Sequence, residues 1–414
     1  MTDHHDDMPR LRQVEPINLV LDGRQLIGLK DPLRLTETIM CVAPEAIPLL
    51  ALMDGKHTLR DIQADLSRRA GRIVFLEEIS AVVESLDDAL LLDGERFREA
   101  FRRKVEAYRK SPFRPASHAG ASYSADPDEL REELSGFFCQ DGGPGLPELF
   151  SDERRPVGLI APHIDIRAGG RCFAHGYHAL AVGQPSDVYV ILGTGHSGVE
   201  GMFTATNLDF QTPLGTVETD RELLDLLGKR WERDPAAEEI LHETEHVIEF
   251  QVIFLQFLFS AARRFKIVPI LCSLSHDMFS DDDAHADQRR LFEGFCHALK
   301  ETCRTIDRSV CFIASADLDH IGPRYGDSFV PHRGTVADAL EKDESLLRAL
   351  ERVDVREFIR GVTRDNNARR ICGFSPITTM LHCMDPAAGR LLSLDYAGVD
   401  DRSSFVSFTS MIFH

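Results

Sequence analysis

Imidazole, thiol and carboxylate side chains gather at a few points of this 414-residue chain, each beside an apolar run. The first is "LIAPHIDIRAGG", residues 159–170, where the run breaks at a proline and delivers His163 and Asp165. "VYVILGTGH" ends on His196, and "SVCFIASADLDH" ends on Asp317, Asp319 and His320. In α/β folds ligands sit beyond the carboxyl ends of the strands, so three such ends carrying histidine point to one shared site. In "LHETEHVIEFQ", His246 and Glu249 are three apart and share a face near a helix start. In "ICGFSPITTM", Ser375 reads as an N-cap and Pro376 as the first helical residue. Cys372 then precedes a helix N-terminus, where the positive end of the dipole favours thiolate, a metal ligand or nucleophile. Each residue has a structural alternative, since a lone core cysteine is usually inert and a lone strand-end histidine usually only hydrogen-bonded. Five groups on one face of one sheet favour a metal or catalytic site. A cysteine nucleophile, with Cys372 activated by His320 or His196, is a further reading.

These residues need a scaffold that brings strand ends together. The segments "PVGLIAP", "VYVILG", "KIVPILCS", "SVCFIAS", "RLLSLDYA" and "SFVSFTSMIF" read as strands. Among them fall helical patterns such as "PDELREELSGFF", "HVIEFQVIFLQFLFSAARR" and "ADQRRLFEGFCHALKETC". The alternation predicts a layered α/β domain over 115–414, with a central mixed sheet flanked by helices. Residues 1–15 read as a disordered tail. Residues 16–97 read as a small winged-helix domain: a hairpin with Asp22-Gly23 at its turn, three helices and a closing strand. Residues 98–114 read as a basic helix and linker.

Composition narrows the function. The net charge of −20, and 17 Lys/Arg against 20 Asp/Glu in residues 1–110, argue against nucleic acid and anionic membranes as partners. No run approaches the roughly 18 apolar residues of a membrane span. The start lacks a signal-peptide core, and nine cysteines without CxxC spacing fit neither a zinc ribbon nor a secreted disulfide framework. A cytoplasmic protein is expected.

Residues 113–414 resemble the Memo family, including component B of the AmmeMemoRadiSam system. The resemblance runs collinearly through "PASHAGASYSADPDELREELSGFF", "LIAPH", "ILGTGH", "TPLGTVETD", "EHVIEFQVIFLQFL", "SADLDH", "CGFSPITTML" and "FVSFTSMIFH". It implies a fold similar to class III extradiol dioxygenases and a mononuclear metal ion, iron foremost, with copper or zinc as alternatives. It places the metal ligands at His163, His196 and Cys372, and pocket residues with catalytic roles at His320, Asp317, His246 and Glu249. A thiolate where those dioxygenases carry a carboxylate changes the chemistry, because it is the softer ligand. The resemblance therefore implies a metal pocket without establishing dioxygenase turnover. A non-catalytic adaptor that binds peptide, partner or metal is the alternative. A radical SAM protein and an AMMECR1-like protein are the partners that the system's name suggests.

Residues 16–97 resemble the PqqD-like family through "LLALMDGKHTLRDIQADL" and "VVESLDDALLLDGERF", which implies recognition of a peptide or protein partner by strand addition. Asp165 departs from the Memo pattern, whose members commonly have aromatic residues after this histidine. Two residues apart on a strand, Asp165 and His163 would point the same way, so Asp165 could ligate the metal or hold a ligand in place. A surface pair with Arg167 is the other reading.

Overall fold

The computed structural model describes residues 8–21, 23–36, 38–280 and 283–414, so Asp22 of the expected turn and residues 1–7 of the expected tail lie outside it. The chain divides into two compact units, Met1–Lys110 and Ser111–His414.

In the first unit, strands β1 (Glu15–Leu21) and β2 (Arg24–Lys30) form an antiparallel hairpin, and β3 (Met40–Val42) pairs with β2. Helices Leu59–Ala70, Leu76–Asp88 and Glu95–Arg109 follow a short one at Ile47–Ala51. The Leu59–Ala70 helix starts on a Thr58/Asp61 capping box and stops at Gly71, whose φ of 63° suits glycine. Leu29, Met53, Ile62, Ile79, Leu86 and Leu91 make the core. Two expectations fail here. The closing strand is only a single bridge between Leu11 and Leu92. The described part of the tail is anchored, because Leu11 and Val14 pack on the core and Arg12 pairs with Asp31 over the Phe97 ring. The basic helix also belongs to this unit and not to a linker.

The second unit is built on a mixed sheet of eleven strands flanked by helices. Its strands are β4 (Phe113–Arg114), β5 (Gly158–Ala161), β6 (Val188–Thr194), β7 (Phe203–Ala205), β8 (Asp209–Thr212) and β9 (Gly215–Thr219). β10 (Lys266–Cys272), β11 (Val310–Ser315), β12 (Asp317–Ile321), β13 (Gly389–Gly398) and β14 (Phe405–Phe413) complete it. The order is β12-β14-β5-β11-β6-β10-β9-β8-β4, with β13 on β14 and β7 on β10. β5, β11, β6 and β10 are parallel neighbours, and β14 runs antiparallel to β5. Their apolar runs are buried from end to end apart from a few terminal residues, as strands covered on both faces must be. One cover is the helix Val247–Phe259, apolar on nearly every side and buried except at Phe257. No helix among the described residues is long and apolar enough to cross a membrane.

Candidate metal centre

The parallel strands β5, β11 and β6 end side by side at Ala161, Ser315 and Thr194. Past these ends the chain turns inward. The His163 amide donates to Asp317 Oδ1 at 2.9 Å, and its Nδ1 lies 3.0 Å from the Ser315 carbonyl. A carbonyl can only accept, so Nδ1 carries the proton and Nε2 is left bare. That Nε2 lies 3.1 Å from Cys372 Sγ and 3.5 Å from Asp317 Oδ2. His320 repeats the device, with Nδ1 donating to the Leu318 carbonyl at 3.0 Å and the ring held edge-on by Tyr325.

Cys372 is delivered by the loop before helix Phe374–Cys383. Thr194 Oγ1 donates to its carbonyl at 2.9 Å, and the Gly373 amide donates to the Asp317 carbonyl at 2.9 Å. Any side chain at Gly373 would collide with that same carbonyl and with Ala316, so glycine is required for the loop to lie this close. The result is convergence. One ligand atom each from His163, His196 and Cys372 lie within 4.8 Å of one another, and so do those of Asp317, His320 and Cys372. Histidine nitrogen with cysteine sulfur is a donor set that zinc, copper and iron accept, so these residues could hold a metal ion.

Burial, helped by the charges of His196 and His246, pushes His163 well below the ordinary histidine range, so it is the neutral imidazole a metal needs. Burial and then the charge of Asp317 push the Cys372 thiol well up. The expected thiolate is thus not formed by the helix dipole alone. Its S–H faces His163 Nε2 until something removes the proton.

His246 stands at the cap position of helix Val247–Phe259, its ring 5.3 Å from that of His196 and 5.7 Å from that of His163. Glu249, read as its catalytic partner, is elsewhere. Fully buried, it pairs with Arg114, accepts from the Tyr123 hydroxyl, and takes the Ser117 and His118 amides at 3.2 and 3.1 Å. It ties down the 114–123 segment and sets the His118 ring 5.6 Å from that of His246. Asp165 is also corrected. β5 stops at Ala161 and Pro162 ends the extended run, so the two-residue strand period does not carry to position 165. The exposed carboxylate caps helix Ile166–Val182 through the Arg167 amide at 2.9 Å, while the Arg167 guanidinium pairs with Glu133. Ser375, read as an N-cap, lies inside the first turn and bonds to Leu274 instead.

Sequence reasoning missed Glu245. It is buried beside the pocket and accepts from both His196 and His246, forming a third close group with them. The one signal was its place next to His246 in "ETEHVIEF".

A family model described as Memo-like protein matches residues 114–412. This chain belongs to the Memo family. A MEMO1 family protein of Aquifex aeolicus is 28% identical over 389 residues, covering 93% of this chain and 95% of the relative. A MEMO1 family protein of Methanopyrus kandleri is 30% identical over 305 residues, covering 71% of this chain and 96% of its own length. One from Methanobrevibacter smithii is 29% identical, covering 73% and 99%. The Memo domain thus occurs in relatives close to its own size, and all the candidate ligands lie within the span that the family model matches.

Proposed function

We propose that the Memo domain is a mononuclear metal protein doing dioxygenase-like redox chemistry on a small or peptidyl substrate, with the ion held by His163, His196 and Cys372. Iron is the first choice, copper and zinc the alternatives. The observation that carries this reading is the approach of the three ligand atoms to within 4.8 Å. An ion held by these three residues would supply Lewis-acid or electron-transfer chemistry. The side chains do the rest. His163 needs no proton loss before it can ligate, whereas Cys372, whose S–H faces His163 Nε2 at 3.1 Å, must give up its proton to solvent as metal binds. His320 brings a ring nitrogen within 4.8 Å of ligand atoms of Asp317 and Cys372, and burial, opposed by Asp317, lowers its pKa and leaves it an uncharged base for a proton of the substrate. A cysteine nucleophile fits less well, because the buried thiol resists ionisation.

Metal analysis of protein purified without oxygen or added metal tests the proposal, with Cys372→Ala alongside. Stoichiometric metal in the wild type and its loss in the variant support it. A wild type that takes up no Fe(II), Cu(I) or Zn(II) on reconstitution overturns it. Reconstituted protein that consumes no oxygen with any substrate leaves the adaptor reading.

For the first unit we propose peptide recognition of the PqqD-like kind. Among the described residues β1 pairs only with β2, and its Val20 and Leu21 are 69% and 51% exposed. An extended peptide or protein segment can add to such an edge. A radical SAM protein and an AMMECR1-like protein are proposed partners. The cytoplasm, where nine free cysteines stay reduced, is the proposed location. Loss of binding on Val20→Pro, measured with a labelled partner segment, is the expected result; unchanged binding removes the edge as the site.

A further inference from the structure

We infer that Glu245 is the positioning residue that fixes both neighbouring imidazoles, His196 and His246, as Nδ1–H tautomers with Nε2 free. The inference rests on the metal site proposed above and adds to it what sets the ligand state of His196. Four nitrogens face the Glu245 carboxylate, two main-chain amides and two ring Nδ1 atoms. The His196 amide reaches Oε2 at 3.1 Å, and His196 Nδ1 lies 3.1 and 3.2 Å from the two oxygens. The His246 amide reaches Oε1 at 2.9 Å, and His246 Nδ1 lies 3.1 Å from the same oxygen.

The two amides fix the carboxylate between the end of β6 and the start of helix Val247–Phe259, so its direction is set by main chain from two elements. An ionised carboxylate only accepts, and each Glu245 oxygen already takes a main-chain N–H, a group that can only donate. Each Nδ1 therefore bears hydrogen. The two rings lie nearly parallel, 10° apart, and both meet the His163 ring edge-on at 81° and 87°. A metal-ligating histidine commonly has its other nitrogen bound to a carboxylate, which fixes tautomer and ring orientation.

The same arrangement decides what Glu245 is not. His196, Glu245 and His246 lie close enough to be a ligand group of their own. A carboxylate offers about four lone-pair sites, and the four N–H groups already occupy them. Glu245 orients ligands and is not one.

The test is 15N NMR of the histidine rings in metal-free protein, at a pH where both rings are neutral, followed by Zn(II) affinity from chelator competition. The wild type should show Nδ1–H at His196 and His246. Glu245→Gln should populate the Nε2–H form of His196 and weaken Zn(II) binding by about 10- to 100-fold. Asp187→Asn serves as a control for lost stability: Asp187 pins Ser309 and Arg263 at the opposite end of the sheet. It should lower the melting temperature while changing neither tautomer nor affinity. An Nε2–H tautomer at His196 in the wild type overturns the inference even if Glu245→Gln does not fold. So does a Glu245→Gln protein with wild-type tautomers and affinity. Wild-type protein that shows the expected tautomers but binds no Zn(II), Fe(II) or Cu(I) refutes the metal reading and leaves the tautomer assignment to Glu245 intact.

Discussion

At the scale of single residues, the thiol of Cys372 is the most consequential group. Replacing it by a hydroxyl in Cys372→Ser removes the soft ligand, so metal retention should fall further than the 10- to 100-fold typical of losing a ligand's hydrogen-bond partner. Chelator competition measures this, and unchanged retention would remove Cys372 from the ligand set. Because burial and Asp317 hold the thiol protonated, binding must expel its proton. Metal affinity should therefore rise with pH, which titrations in buffers of differing pH will show. Without metal, the His196–Glu245 pair sets a different dependence. Partial desolvation opposes charge on His196, but Glu245 outweighs it and lifts the folded pKa above 6.5. That contribution to stability is complete below 6.5 and fades as pH rises through the folded value. Glu245 itself lies well below 4.5, so its share is complete above 4.5 and fades only in stronger acid. Melting curves of metal-free protein should thus lose this increment on the alkaline side in the wild type and not in His196→Gln. That His163, His196 and Cys372 come together was legible because residues past neighbouring strand ends of an α/β sheet share one edge. Glu245 was not, since it precedes the helix whose face was being read. The role of Asp165 as a helix cap was not legible, because the two-residue strand period that set it beside His163 stops at Ala161.

At the scale of elements, the Cys372 loop and β12 act as one piece. The Gly373 amide holds the Asp317 carbonyl, the His320 amide donates to the Arg369 carbonyl at 2.8 Å, and Arg370 returns a bond to the His320 carbonyl at 3.1 Å. Gly373→Ala forces this contact apart. Overpacking of this kind costs roughly 1–3 kcal/mol, and here it should also reduce metal content, since it moves Cys372 away from His163. A variant that keeps both stability and metal would show that the loop gives more freely than its packing implies. Asp165→Ala should behave otherwise, costing about 0.5–2 kcal/mol through its helix cap and leaving metal content unchanged. Urea unfolding with metal analysis separates the two. The long apolar strands were readable from sequence because burial on both faces demands continuous runs. β12 was not, for "DLDHI" is polar. Its Asp319 is buried only because Arg369, shared with Asp343, meets it at 2.7 Å. The short β7, β8 and β9 have no such run either.

At the scale of the molecule, the two units carry separate cores, so residues 111–414 alone should unfold cooperatively and bind the same metal equivalents as the full chain. The 305-residue match to a relative of nearly that size agrees with this. Aggregation of the shortened protein, seen by light scattering, would contradict it. How far the N-terminal segment is pinned was not legible in the sequence, since a few apolar side chains in a polar stretch leave little periodicity. A last consequence concerns the order of folding. β14 supplies one neighbour of β5, through Met411 opposite Ile160, and also pairs with β12. β5, which leads into His163, therefore lacks one of its two neighbours until residues some 250 positions downstream are in place, and β12, which carries His320 and whose one pairing among the described residues is with β14, waits for residues about 90 positions downstream. Loop closure over such a span comes late in folding. The candidate ligands His163, His196 and Cys372 should therefore come together only after β14 has docked, late in folding.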